Sequence, residues 1–163
     1  MLHKVVQLGG KSYFWLEKTN VVSMIQEYQV SGFRVREYEE LESTNTEAER
    51  VGWSELEDKM VILTYRQTQG RGQVGNHWES EPGKNISMTV VFKPRELSAG
   101  QQFAVSMVIA LGACDFISRY VSGCSVKWPN DIYVGDRKIS GILIEHSIMG
   151  RYVGGSLCGI GVN

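Results

Sequence analysis

The stretch Gln67-Thr68-Gln69-Gly70-Arg71-Gly72-Gln73-Val74-Gly75-Asn76-His77-Trp78 constrains the fold more than any other part of the chain. Three glycines fall within six residues, so the backbone there can take positive φ and pass close to a ligand or to another segment. An apolar run, Met60 to Tyr65, leads into it, and a second, Asn85 to Phe92, leads out; both are rich in β-branched residues and predict strands. The loop therefore joins two strands, and its successive peptide N–H groups can converge on an anion. Arg71 adds a guanidinium whose fork suits phosphate or carboxylate oxygens, and Trp78 offers a flat face to a heterocycle. Gly70-Arg71-Gly72-Gln73-Val74-Gly75 satisfies the pattern Gly-x-Gly-x-x-Gly, but a dinucleotide turn opens a helix and this segment leads to a strand. A solvated hairpin tip is the plain alternative.

A chain of 163 residues is sized for one domain with a real core. Its net charge of −1 and the lack of a long basic run do not fit a nucleic-acid binder, so a small molecule or a protein partner is expected. Cys114, Cys124 and Cys158 share no metal or framework spacing and read as reduced, buried thiols of a cytosolic protein. The first ten residues lack a signal-peptide pattern, and the apolar stretch from Phe103 to Ile117 is too short and interrupted to span a bilayer. A cytoplasmic protein without a membrane partner is the expectation.

Residues 1–32 form an N-terminal segment of open role, with a strand pattern at 12–16 and a short helical pattern around 21–28. A second unit, 33–163, begins where Phe33, Val35 and Tyr38 alternate with charged residues, as in a half-exposed strand. Ser43 or Thr44 then suits a helix N-cap, with carboxylates in the first turn. A plain cap accounts for these hydroxyls; a fresh helix N-terminus also suits an anion or a carbonyl oxygen. Gln101 to Val121 has helical spacing and predicts a largely buried helix that serves as core. The second chemical stretch is Lys127-Trp128-Pro129-Asn130-Asp131, where proline interrupts a strand ladder. Lys127 suits phosphate, Asn130 a base or amide, and Asp131 Mg²⁺. A hairpin turn at Gly135-Asp136 returns the chain through Lys138 to Glu145. The alternating glycines of 154–161 predict a strand against which a ligand lies flat.

Five of these stretches, Ser43-Thr44-Asn45, Gly70-Arg71-Gly72 to Trp78, Lys127 to Asp131, Lys138 to Leu143 and Gly159 to Asn163, together resemble the catalytic domain of biotin–protein ligases, in that family's order and over roughly residues 34–163. The resemblance implies an α/β (α+β) fold with a mixed β-sheet flanked by helices, of the kind shared with lipoate ligases and related to class II aminoacyl-tRNA synthetases. It implies a ligase of the biotin–[acetyl-CoA-carboxylase] type, which condenses biotin and ATP to biotinyl-adenylate and passes biotin to a lysine of a biotin carboxyl carrier domain. On that basis Ser43, Thr44, Gln67, Gly70, Arg71, Lys138, Gly159 and Gly161 would bind biotin. Arg71, Gln73, Trp78, Lys127, Asn130, Gly141 and Asn163 would bind ATP, and Asp131 would hold Mg²⁺. Lys138, Arg71 and Lys127 would stabilise the charge that develops during adenylation.

The chain departs from the family pattern in three respects. Gln73 stands where many members carry arginine, as does Asn76, so a leakier intermediate is expected unless a cation such as Lys84 substitutes. No helix-turn-helix domain precedes the motifs, so repressor activity is not expected. The chain also ends at Asn163, where members continue through further helices and a small C-terminal domain. A truncated domain that binds biotin or ATP without completing transfer is therefore the alternative, and a lipoate or octanoate ligase a more distant one.

Overall fold

The computed structural model describes residues 5–8, 11–14, 23–73 and 75–163. Strands β1 (Val5–Leu8) and β2 (Lys11–Phe14) pair antiparallel as a separate ribbon. Residues 15 and 16 of the strand expected at 12–16 lie outside the described residues, as do residues 21 and 22 of the expected helix.

The rest of the expected helix is a strand instead. Strand β3 (Met24–Val30) pairs antiparallel with β4 (Phe33–Tyr38) across the turn Ser31-Gly32. Both turn residues have positive φ, 50° and 81°, which is the backbone twist a two-residue hairpin requires. The tertiary pairing overrides the weak helical spacing, because β3 is an exposed edge strand whose order comes from its ladder to β4.

The main sheet has eight strands in the order β3-β4-β5-β6-β10-β9-β8-β7. Its remaining members are β5 (Met60–Thr64), β6 (Ile86–Phe92), β7 (Cys124–Lys127), β8 (Asp131–Val134), β9 (Arg137–Met149) and β10 (Tyr152–Val162). Only β4 and β5 are parallel, and helix α1 (Thr44–Val51) is the crossover between them. All other neighbours are antiparallel, so the mixed α/β sheet expected from the sequence is what forms.

Strand periodicity sorts the core onto two faces. Leu157 of β10 packs with Met60, Ile62, Val91, Ala48 and Leu56 on the face that α1 covers. Ile160, three residues on and so on the opposite face, joins Ile132 and Ile142 against Ala110 and Ile117 of helix α2 (Phe103–Ser118). Helix α1 thus covers β5, β6 and β10 and α2 covers β7, β8 and β9 from the opposite face, with β10 contributing side chains to both.

Helix α2 is not the buried core helix that its composition predicts. Only Val105, Ala110 and Ile117 are buried, while Met107, Val108 and Leu111 are 48%, 63% and 64% exposed. The helix is apolar all round, so periodicity could not reveal that just one face meets the sheet. With a preceding 3₁₀ turn the helical stretch runs from Ala99 to Ser118, 20 residues of mean hydropathy 1.4. Length and composition alone would therefore let it cross a bilayer, contrary to the sequence expectation. In the structure it lies along β7, β8 and β9 instead, with its buried side chains packed on them.

Candidate active site

The glycine loop closes on itself as a small hairpin. Trp78 N–H donates to Gly70 C=O (2.9 Å), Gly72 N–H to Asn76 C=O (3.0 Å), and Asn76 N–H to Gln73 C=O (2.8 Å). A Cβ at Gly70 would sit 2.3 Å from the Trp78 carbonyl oxygen, so this close approach is what requires glycine there. The strand-side end of the loop is zipped to the segment before α1: Thr68 N–H donates to Leu41 C=O and Gln69 N–H to Glu42 C=O. That zipper delivers the Gln67 carboxamide to the start of α1, where its Oε1 accepts from Thr44 N–H at 2.8 Å.

Ser43 occupies the N-cap position, but its hydroxyl makes no capping hydrogen bond. The plain-cap explanation thus fails for its side chain. Ser43, Thr44 and Gln67 instead line a cavity of about 280 Å³ on the α1 face of the sheet. Thr44 Oγ1 donates to Thr89 Oγ1 at 2.8 Å, since the single Thr89 proton goes to Asn45 Oδ1, whereas Gln67 has its Oε1 anchored by Thr44 N–H and keeps its Nε2 donor beside Gly70.

Register builds the cavity floor. Gly159 of β10 lies opposite Leu143 of β9 and Thr89 of β6, and Gly161 lies opposite Gly141 and Ser87. The expectation that a ligand fills the space over every glycine needs correcting. A Cβ at Gly159 would fall 2.4 Å from Asn45 Oδ1, and one at Gly161 would fall 2.3 Å from the Trp78 indole, which also covers Gly141 at 2.7 Å. These glycines first make room for the protein's own Asn45 and Trp78. Trp78 Nε1 is buried there without a hydrogen-bond partner.

The cavity is also lined by ion-paired side chains. Lys138 Nζ lies 2.8 Å from Asp131 Oδ1 and 5.5 Å from the centre of a Trp78 ring. Asn130 Nδ2 donates to Ile142 C=O at 2.5 Å, which locks the turn after Pro129 onto β9. Arg71 pairs with two carboxylates, Glu49 at 3.2 Å and Glu145. Partial burial opposes the Arg71 charge, but Glu145 and Glu49 outweigh it and hold its pKa above the ordinary arginine value. The cation is therefore neutralised at rest.

Most of the residues singled out in the sequence come together here. Ser43, Thr44, Gln67, Arg71, Gln73, Trp78, Asn130, Asp131, Lys138, Gly141, Gly159 and Gly161 all line the cavity. Gly70 lies behind the wall in its contact with Trp78, and Asn163 is anchored nearby by Asn85 (3.0 Å). Lys127 does not line it: its ammonium lies 4.8 Å from the centre of the Tyr133 ring. Lys84, the substitute considered for the missing arginine, is paired with Glu81 at 2.5 Å and is likewise not a lining residue.

A polar network that no motif announced supports the wall. Asn45 is 3% exposed; its Oδ1 accepts from Thr89 Oγ1 (2.5 Å) and its Nδ2 donates to Glu145 Oε2 (2.7 Å). Glu145 thereby joins the start of α1 to Arg71. Asn45 sits inside a motif, but Thr89 and Glu145 read in the sequence as ordinary strand residues, 44 and 100 positions away. Ser87 also lines the cavity and carries no sequence signal of its own, and Asn76, noted in the sequence only as standing at an arginine position, lines it too.

A mixed sheet with a helix start, a glycine hairpin and two sets of ion pairs around one cavity defines an α/β domain with a polar, charged pocket on its sheet. The chain belongs to the biotin/lipoate A/B protein ligase family, whose model matches residues 38–163. It is 33% identical over 124 residues to the biotin–[acetyl-CoA-carboxylase] ligase of Paracoccus denitrificans, covering 75% of this chain and 51% of that protein. It is 30% identical over 144 residues to the bifunctional ligase/repressor BirA of Escherichia coli K12, covering 86% and 44%. Among solved structures, the biotin acetyl coenzyme A carboxylase synthetase of Helicobacter pylori with bound biotinylated ATP superposes with a TM-score of 0.62 at 29% identity, over 79% of this chain and 60% of that one. The biotin protein ligase of Aquifex aeolicus in complex with biotin and ATP gives 0.63 at 27%, over 79% and 51%. The chain thus spans about half the length of the curated relatives it matches.

Proposed function

We propose that this domain carries the biotin- and ATP-binding site of a biotin–protein ligase, which forms biotinyl-5′-adenylate and passes biotin to a lysine of a biotin carboxyl carrier domain in the cytoplasm. The observation that carries this reading is the make-up of one cavity: the uncharged Ser43, Thr44 and Gln67 groups line it at the start of α1, Arg71 lines it beside α1 through its Glu49 contact, and the Lys138–Asp131 pair lines it from β8 and β9. A ureido ring offers one carbonyl acceptor and two N–H donors, which match the Gln67 Nε2 donor and the uncapped Ser43 hydroxyl. The valerate chain of biotin would run beside the Trp78 indole that covers Gly141 and Gly161, bringing its carboxylate to Lys138.

Adenylation is attack of that carboxylate on the α-phosphorus of ATP, with pyrophosphate leaving. It needs alignment and cationic stabilisation more than a side-chain nucleophile. Lys138 would exchange its Asp131 partner for substrate oxygens, and Arg71 would exchange one of its two carboxylates for phosphate. Trp78, Gly141, Asn130 and Asn163 would frame the adenine side, and Gln73 the phosphates. Lys127, 4.8 Å from the Tyr133 ring centre, would join only by turning from that ring. Mg²⁺ commonly takes one or two protein carboxylates and completes its shell with substrate phosphates and water, a demand that Asp131 alone fits. Bound with ATP, it would neutralise phosphate charge.

The test incubates the protein with ATP, Mg²⁺ and either biotin or lipoate and detects acyl-adenylate by mass spectrometry. Biotinyl-adenylate from biotin alone is the expected result. Product from lipoate alone overturns the substrate, and folded protein that binds biotin without product reduces the domain to a binding module.

A further inference from the structure

The mechanism uses none of the three cysteines, yet two of them are in contact. Cys114, near the end of α2, and Cys124, the first residue of β7, bring their Sγ atoms to 3.1 Å. The backbone holds them there from both sides. Beyond α2, Tyr120 and Val121 N–H groups both return to Ile117 C=O, and Cys124 is registered against Val134 in the β7–β8 ladder. Both sulfurs pack on the apolar cluster of Ala110, Ile117, Ile132 and Ile142, and both remain partly exposed, contrary to the buried thiols the sequence suggests. Cys158 is different: it is fully buried, and burial pushes its thiol up to about 12.

We propose that Cys114 and Cys124 form a reversible oxidation site, a dithiol that a low-molecular-weight disulfide such as oxidised glutathione converts to an intramolecular disulfide. One thiolate displaces reduced glutathione from the oxidant to give a mixed disulfide. The second thiolate then attacks the protein sulfur of that bond, forming Sγ–Sγ and releasing a second glutathione. Two S–H bonds are lost, one S–S bond forms, and the two electrons and two protons leave with the two glutathione molecules. A disulfide needs sulfurs about 2.05 Å apart, so closure asks each to move only about half an ångström from the observed contact. Partial exposure admits the oxidant, and the apolar cluster behind the pair favours the product, which has no S–H donor left to satisfy. Ser118 Oγ donates to Cys114 C=O (2.7 Å), holding the helix end that the bond would tie to β7. This proposal does not depend on the ligase reading.

The test is a non-reducing tryptic map after incubation in mixtures of reduced and oxidised glutathione. Cleavage after Arg95, Arg119 and Lys127 puts Cys114 in peptide 96–119 and Cys124 in peptide 120–127. The two peptides are expected to appear cross-linked, and to separate on reduction. Cys114→Ser or Cys124→Ser abolishes the linkage completely, and Cys158→Ser leaves its yield unchanged. The short loop closed predicts that the linked form melts higher by roughly 5–10 °C. Failure to link even in oxidised glutathione alone overturns the proposal. So does recovery of both cysteines as separate glutathione adducts, or a linked form that melts no higher than the reduced one.

Discussion

Replacing Gly159 by alanine tests the wall of the cavity most sharply. The new Cβ would lie 2.4 Å from Asn45 Oδ1 and 3.1 Å from Asn45 Cγ, so the carboxamide must leave. Asn45 then loses its bond from Thr89 (2.5 Å) and its bond to the Glu145 carboxylate (2.7 Å); the 3.4 Å contact to Leu143 C=O is too long to count. A neutral hydrogen bond contributes about 1 kcal/mol and one to a charged group about 1.5–3 kcal/mol. Alanine in a strand recovers roughly 0.5–1 kcal/mol of the entropy that glycine loses on folding. The net loss is therefore about 2–3 kcal/mol, which lowers the melting temperature of a domain this size by roughly 5–10 °C. The decisive assay is a double-mutant cycle. In an Asn45→Ala background the colliding atoms are gone, so Gly159→Ala should cost less than about 1 kcal/mol in urea or thermal unfolding. Additive costs for the two substitutions would refute the argument, because they would mean that the glycine is not there to make room for Asn45.

Further expectations concern the site and its surroundings. Gly161→Ala displaces the Trp78 indole, which lies 2.3 Å from the added Cβ; adenylate formation should fall about tenfold or more, and an unchanged rate of ATP–pyrophosphate exchange would count against the role of Trp78. Arg71→Ala should slow adenylation roughly 100-fold in a single-turnover assay with little change in biotin affinity. Gln73→Arg adds a charge-assisted phosphate contact at the cavity wall and should slow the escape of free biotinyl-adenylate about tenfold, measured by filtration of the loaded protein. Burial holds His146 below the ordinary histidine value. As pH falls through about 6.5 the unfolded chain binds the proton first, so stability present above that pH is lost as pH drops towards the folded-state value. Urea midpoints at pH 7.5 and 5 should differ by less in His146→Gln than in the natural protein.

The sequence was informative where chemistry and local conformation coincide. The apolar alternation of β4, the strand-forming runs of β5 and β6, the turn at Gly135-Asp136 and the order of the five motifs could be read without coordinates, because each depends on residues close together in the chain. So could the residues that line the cavity at Ser43, Gln67, Lys138 and Gly159. Where local signals were weak, the reading failed: β3 has helical spacing but is held as a strand by its partner, and α2 is apolar on every side, which hides the face it presents to the sheet.

Only tertiary structure decided what the charged and small residues do to one another. Arg71 is read from sequence as suited to phosphate or carboxylate oxygens, and the fold gives it the carboxylates of Glu49 and Glu145, while Lys138 rests against Asp131. The glycines of β10 read as a ligand platform, yet the space above Gly159 and Gly161 is taken by Asn45 and Trp78, and that above Gly154 and Gly155 by Met149 and Trp53. Spacing separates Cys114 from Cys124 into unrelated elements, and packing brings their sulfurs together. Sequence patterns report how a residue relates to its neighbours a few positions away, through helix and strand periodicity. Apart from Lys138–Asp131, which face each other across the β8–β9 hairpin, the pairings that set the site's charge and shape join residues 22 to 114 positions apart, and only sheet register and tertiary packing determine them.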